Sequence, residues 1–80
     1  MKTIDLNKCP QTGVYVQECI INIPRTTFEH THVQILDHST IQTCILINVH
    51  NRKQKMFYRR KHGDGTFGIF NEVVATREVH

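Results

Sequence analysis

β-Branched residues dominate this chain and limit what it can fold into. Nine isoleucines, seven valines and nine threonines make 25 of the 80 residues β-branched, against three leucines and one alanine. A branched Cβ restricts χ1 and fits a pleated surface better than a helix. No stretch places apolar residues at the spacing i, i+3, i+4, i+7 between helix caps. The sequence therefore predicts an all-β fold with no substantial helix.

The length of the chain allows only one small core. A domain of 80 residues buries roughly 60–65% of the surface that its unfolded chain exposes. This size excludes a cofactor-binding domain joined to a separate substrate domain. We expect residues 1–12 to form an N-terminal arm or a short edge strand that is partly ordered at best, and residues 13–80 to form a single β domain.

Turn-forming residues divide the chain into five candidate strands. Pro24 ends the first, because proline cannot donate a hydrogen bond to a β-ladder, and the pair Asp64-Gly65 is the strongest turn signal. The candidate strands are residues 13–23, 27–36, 41–50, 55–62 and 66–74. Their order and lengths predict a small antiparallel meander of about five strands, either an open sheet or a small barrel.

The turn between the second and third candidate strands predicts a register. A two-residue tip at His38-Ser39 pairs residues whose numbers sum to 77, and opposite residues share a face of the sheet. One face then contains the apolar members of both strands, and the polar residues Gln42 and Asn48 lie mostly on the opposite face. The apolar set is Phe28, Leu36, Ile41, Ile45, Ile47 and Val49, with His30 and His32.

The Asp64-Gly65 pair predicts a type I′ turn in which both residues have positive φ and the partner numbers sum to 129. The face with Met56 and Tyr58 is the more apolar, and we assign it to the core. The other face of this hairpin would point to solvent or to a partner; its residues include Phe57, Arg59, Lys61 and Phe70.

Positive charge is concentrated in one hairpin. Residues 50–80 carry seven basic and three acidic side chains, whereas residues 1–49 carry three and four. Six of the cations lie within residues 52–61, a segment that also contains Phe57 and Tyr58 and no acidic residue. Such a strip suits a phosphate backbone or an acidic protein surface. The candidate partner-binding residues are Arg52, Lys53, Lys55, Phe57, Arg59, Lys61 and Phe70.

Three functions are compatible with these residues. The first is a non-catalytic protein-binding module, with the size and composition of a small phage-type or mobile-element inhibitor, that occludes its target through the basic hairpin. The second is binding of single-stranded RNA or DNA by the same hairpin. The third is a metal-independent ribonuclease; its candidate groups are Glu29 as base, Arg59 or Arg60 as phosphate clamp, and His62 or His80 as acid. We rank catalysis last because no helix is predicted to fix a catalytic face.

Histidine and cysteine give no complete site. His30 and His32 are spaced to lie on one strand face and could supply half of a metal site, but no third ligand is evident, so we interpret them as structural and predict no metal or cofactor. Cys9, Cys19 and Cys44 lack CxxC spacing and are predicted to be reduced. Cys44 lies in an apolar run and is predicted to be buried, and Cys9 is the cysteine expected to be exposed.

Location and assembly follow from the same features. The N-terminus lacks the apolar stretch of a signal peptide, and no apolar run approaches the ~20 residues that cross a bilayer. We therefore expect a cytoplasmic protein with no membrane association. A β-domain of this size often covers one apolar face in a symmetric pair, so we also expect a homodimer.

Overall fold

The structure is a computed structural model that describes residues 3–74, and it confirms the all-β fold. A five-stranded antiparallel sheet has the order β2-β4-β5-β6-β7, and β1 and β3 form a separate parallel pair. The strands are β1 (Ile4–Asp5), β2 (Gly13–Val16), β3 (Ile20–Ile21), β4 (His32–Asp37), β5 (Ile41–Asn48), β6 (Lys53–Arg60) and β7 (Asn71–Val73). The helical segments within residues 3–74 are two 3₁₀ turns, Leu6–Lys8 and Gln17–Cys19. None of these segments has the length or apolar character to cross a membrane.

The core lies between the sheet and a second layer built from the N-terminal part of the chain. Ile35, Cys44 and Phe57 lie side by side on β4, β5 and β6 and form the centre of the covered face. Leu6 and Ile20 pack onto this face from the second layer and are themselves buried. The core therefore joins residues that are far apart in the sequence.

The second layer is fixed by hydrogen bonds around Asp5. The Asp5 carboxylate accepts from the Asn7 backbone N–H at 2.9 Å and from Asn22 Nδ2 at 2.6 Å. These bonds, with that from Asn22 the larger cause, lower the pKa of Asp5 below its ordinary value. Asn22 has a φ of 63° and Cys9 a φ of 49°, so the chain turns sharply after each short strand. This geometry places Leu6 over the sheet.

The first candidate strand, residues 13–23, is not continuous. It is interrupted by the 3₁₀ turn Gln17–Cys19, after which Ile20 and Ile21 pair with β1 instead of with the large sheet. Because the chain leaves the sheet after Val16, Ile20 reaches the second layer and is buried there.

The first hairpin forms, but its predicted register is wrong. The strands β4 and β5 pair with numbers that sum to 79, as in Ile35 opposite Cys44. The tip is Ser39-Thr40, and the His38 N–H donates to the Ile41 carbonyl at 2.9 Å. Strand β4 also begins at His32, so Phe28 and His30 precede it.

The second hairpin has the predicted register over its central part and a different turn. Residues Met56 to Tyr58 pair with Asn71 to Val73, with numbers that sum to 129. Gly65 alone of the Asp64-Gly65 pair has positive φ, at 89°, and its N–H donates to the His62 carbonyl at 3.1 Å. The loop thus contains three residues, and Lys61 pairs with Phe67, one position away from the predicted register.

In the second hairpin the covered face is opposite to the one assigned to the core, and in the first hairpin it is the face that contains Gln42 and Asn48. Gln42 and Asn48 are buried on β5, and Phe57 and Arg59 are buried on β6. Met56 and Tyr58, which we assigned to the core, lie on the other face and are half-buried. The prediction divides the residues correctly between the two faces of the sheet. The second layer covers the face that contains Gln42, Asn48 and Arg59, and these polar residues are therefore buried.

Candidate binding sites

The predicted cationic site does not form a single exposed surface. Arg59 is 6% exposed and Phe57 is 5% exposed, so the prediction that they face solvent is wrong. Lys61 Nζ lies 2.7 Å from Asp37 Oδ2 with little of either side chain exposed, so Lys61 is also unavailable. Lys55 pairs with Glu72 at 3.5 Å in a solvent-exposed ion pair. The predicted residues Arg52 and Lys53 are exposed, as is Arg60, and Phe70 is half-buried.

Arg59 is the centre of a buried polar arrangement. Its Nε donates to Gln42 Oε1 at 2.8 Å, and its Cζ lies 3.8 Å from the ring centroid of Phe67 and 4.4 Å from that of Phe70. The predicted pairing of Arg59 with Phe70 is thus present, on the covered side of the sheet. Arg59 Nη2 is buried and has no hydrogen-bond partner. Burial lowers the pKa of Arg59 below its ordinary value.

The strand register explains why these polar groups meet. Asp37, Gln42 and Arg59 lie directly opposite one another on β4, β5 and β6. Gln42 Nε2 donates to the Leu6 carbonyl at 2.8 Å and more weakly to Asp37 Oδ1 at 3.4 Å, while Gln42 Oε1 accepts from Arg59. Both ends of the buried amide are therefore satisfied, as burial of a polar group requires.

Lys61 extends this arrangement at the end of β6. Burial opposes its charge, but the hydrogen bond and negative charge of Asp37 outweigh burial, and the pKa of Lys61 rises above its ordinary value. Asp37 thus holds Lys61 in its charged form and accepts from Gln42 as well. The Lys61–Asp37 ion pair lies at one end of the covered face.

A cavity of about 400 Å³ lies beside Arg59. It is open to solvent and lies between the sheet and the second layer. The residues that line it are Asn7, Asn22, Ile23, Pro24, Arg25, Phe57, Arg59, Gly68, Ile69 and Phe70. Its walls are mostly apolar, and Arg59 is the one buried charged residue among them.

The second candidate site is the uncovered face of the sheet, which we call the open face. It contains the alternate residues of all five strands: Val14, Val16, His32, Gln34, Leu36, Ile41, Thr43, Ile45, Ile47, Gln54, Met56, Tyr58, Arg60, Asn71 and Val73. Nine of these are apolar, and none is a carboxylate. Val14 is 58% exposed and Val16 49% exposed, so the described residues build no second layer over them.

The other candidate residues do not combine into a site. Within residues 3–74, no three His, Cys, Asp or Glu side chains lie close enough together to hold a metal ion. His30 precedes β4, so it does not share a strand face with His32, whose Nδ1 lies 2.9 Å from Thr31 Oγ1. Glu29 and His62 are both exposed, and His80 lies outside the described residues.

The cysteine predictions can be compared directly with the structure. Cys44 is buried and Cys9 is exposed, as predicted, and neither is in a disulfide. Burial raises the pKa of Cys44 to about 12. Because the thiolate is the nucleophile, Cys44 is unreactive while the protein is folded.

Sequence reasoning missed the cavity because its walls come from four separate segments of the chain. Asn7, Asn22 and Arg25 carry no pattern that links them to β6. One part of the cavity could be predicted from the sequence. Arg59 and Phe70 are spaced to lie opposite each other across the Asp64-Gly65 turn, and the two side chains do come together. Comparison of the chain with known proteins found no matching family model, no matching curated protein and no matching solved structure.

Proposed function

We propose that the protein is a non-catalytic protein-binding module and that a partner protein covers the open face. The observation that carries this proposal is the concentration of nine apolar side chains on the side of the sheet that the second layer does not cover, of which Val14, Val16, Ile41 and Val73 are exposed. Exposed apolar patches larger than a few hundred Å² are typical of interaction surfaces. The partner surface thus differs from the basic hairpin face predicted from the sequence.

The open face has the size that a specific interface needs. Five strands about 4.8 Å apart, each roughly six residues long at about 3.3 Å per residue, give a face of about 500 Å². A partner that covered it would bury about 1,000 Å² in total, which reaches the lower limit for a specific interface. The half-buried Ile47 on the central strand β5 would lie at its apolar centre, and the more exposed Val14, Val16 and Ile41 would surround it.

Charge complementarity favours a different protein over a second copy of this chain. Arg60 lies on the open face, and Arg52 is exposed in the turn before β6. A second copy would add the same cations and no carboxylate. We therefore expect a partner with an apolar surface flanked by Asp or Glu side chains. Such a complex would make that partner surface inaccessible, so occlusion remains the proposed mode of inhibition.

Site-specific photocrosslinking in the source cells tests this proposal. The substitution Thr43→p-benzoylphenylalanine places the crosslinker on the open face, and the same substitution at Lys8 places it on the exposed 3₁₀ turn of the second layer. We expect the position-43 variant to capture one protein and the position-8 variant not to capture it. Adding Ile41→Glu should abolish capture without changing the circular dichroism spectrum, because Ile41 is exposed at the start of β5.

The purified partner then serves to test the chemistry of the interface. The affinity of the protein for this partner should fall as the salt concentration increases, and Arg60→Gln should also lower that affinity. Crosslinking only to a second copy, or no capture at position 43, contradicts the proposal. Salt-dependent binding of single-stranded RNA that survives Ile41→Glu would favour the nucleic-acid function instead. In that alternative, Phe57 is not available for stacking against nucleic-acid bases, because its ring is buried.

A further inference from the structure

We propose that the cavity beside Arg59 binds a carboxylate attached to an apolar group. This site lies on the covered side of the sheet and is independent of the open face. It would serve a small organic acid or the C-terminal residue of a peptide, which present the same chemistry.

The first step in the argument is the unsatisfied guanidinium of Arg59. Its Nη2 is buried without a partner, and the ion pairs among residues 3–74 are Lys55–Glu72 and Lys61–Asp37, so no described carboxylate pairs with Arg59. A buried guanidinium N–H that has lost water and gained no acceptor is strongly unfavourable. A carboxylate is the acceptor whose planar geometry matches the guanidinium fork.

The second step is the composition of the cavity walls. Ile23, Pro24, Phe57, Ile69 and Phe70 provide apolar surface around the charged group. At about 400 Å³, the cavity is in the range of small-molecule sites, which are typically apolar with a few orienting polar groups. Inorganic phosphate would leave this apolar surface uncovered and would have too few donors. The walls therefore favour an acid with an aromatic or branched aliphatic body.

The third step is access and charge at the mouth. The half-buried Phe70 ring lines the cavity and lies 4.4 Å from Arg59 Cζ. Because Arg59 Nη2 is buried, the proposal requires this ring to turn aside when the ligand binds. Exposed Arg25 lines the same cavity and adds a second positive charge that attracts an anion. Asn22 is already held by Asp5, which leaves Arg25 and Arg59 as the groups that select for charge.

Titration followed by NMR of the ¹⁵N-labelled protein tests the site. Sodium benzoate is the probe, and benzamide is its neutral counterpart of the same shape. We expect benzoate to shift the Arg59 Nε–Hε resonance and to bind at least about tenfold more tightly than benzamide, because an ionised acceptor forms the stronger hydrogen bonds. N-acetylphenylalanine distinguishes the two sources: stronger binding than benzoate indicates a peptide C-terminus, and weaker binding a small free acid.

Substitutions distinguish a loss of benzoate binding from a loss of folding. Arg59→Met should remove benzoate binding, and because it could also prevent folding, two exposed positions provide independent tests. Arg25→Gln should weaken benzoate roughly threefold through the lost charge, and Ile69→Trp should block the cavity. Lys53→Gln, which removes an exposed cation at the far end of the same strand, is the matched control and should leave the affinity for benzoate unchanged. The proposal is overturned by equal binding of benzamide, by tighter binding of inorganic phosphate, or by an unmoved Arg59 resonance.

Discussion

At the residue scale, several buried polar side chains lie on the face of the sheet that becomes the core. The sequence pattern places Gln42 and Asn48 on the face opposite most of the apolar residues of their hairpin, and polar side chains are usually exposed. In the structure, Asn48 Nδ2 donates to the Glu29 carbonyl at 3.0 Å and Asn48 Oδ1 accepts from the His50 N–H at 3.0 Å. These partners come from loops. Alternation of polar and apolar residues could not reveal them, and the assignment of the core face failed for that reason.

The substitution Gln42→Met tests the importance of the buried amide. It keeps the size of the side chain but removes the acceptor for Arg59 Nε and the donor to the Leu6 carbonyl. Arg59 Nε would be left buried without an acceptor, and the Leu6 carbonyl would keep only the Cys9 N–H at 3.4 Å. We therefore expect the free energy of unfolding to fall by about 2–4 kcal/mol. Urea denaturation monitored by circular dichroism measures the change.

A matched glutamine provides the control for this prediction. Gln34 lies on the open face and is half-buried, so Gln34→Met should change stability by no more than about 0.5 kcal/mol. A similar loss in both variants would show that the buried hydrogen bonds of Gln42 are not the cause.

At the element scale, the two hairpins show when a turn can be read from sequence. Asp64-Gly65 predicts the position of the second turn correctly because glycine tolerates the positive φ found at Gly65. The loop has one residue more than predicted, and the predicted register holds only where Met56 to Tyr58 pair with β7. His38-Ser39 contains no glycine, and the tip instead forms one position later at Ser39-Thr40. The number, order and antiparallel pairing of the main strands are predictable from the β-branched runs, whereas their ends depend on these turns.

The conformation of Gly65 gives a prediction with an internal control. Gly65→Ala forces a Cβ into a backbone with a φ of 89°, and we expect a loss of about 1 kcal/mol in the free energy of unfolding. Gly63→Ala, in the same loop, meets no atom within 4 Å and has no positive φ. It should leave stability unchanged or raise it slightly. Parallel urea denaturation of the two variants makes the comparison, and equal losses would contradict it.

At the scale of the whole molecule, the fold depends on a second layer that carries no strand-like periodicity. Residues 1–12 are predicted as an arm or short edge strand, and the pattern does not indicate that Leu6 is buried completely against the sheet. Individual hydrogen bonds hold the second layer in place, such as the bond from Gln42 to the Leu6 carbonyl and the bond from Asn22 to Asp5. Such contacts join distant parts of the chain, so the covered face and the cavity could not be predicted from local sequence.

The substitution Leu6→Ala measures how strongly the second layer stabilises the molecule. Leu6 is fully buried in a core of seven buried residues, so its truncation should lower the free energy of unfolding by about 2–5 kcal/mol. Ile69→Ala removes an apolar side chain that is 81% exposed and should change it by less than about 0.5 kcal/mol. Urea denaturation of both variants gives the comparison. If Leu6→Ala were as mild as Ile69→Ala, residues 3–12 would be a dispensable arm and the two-layer core would be wrong.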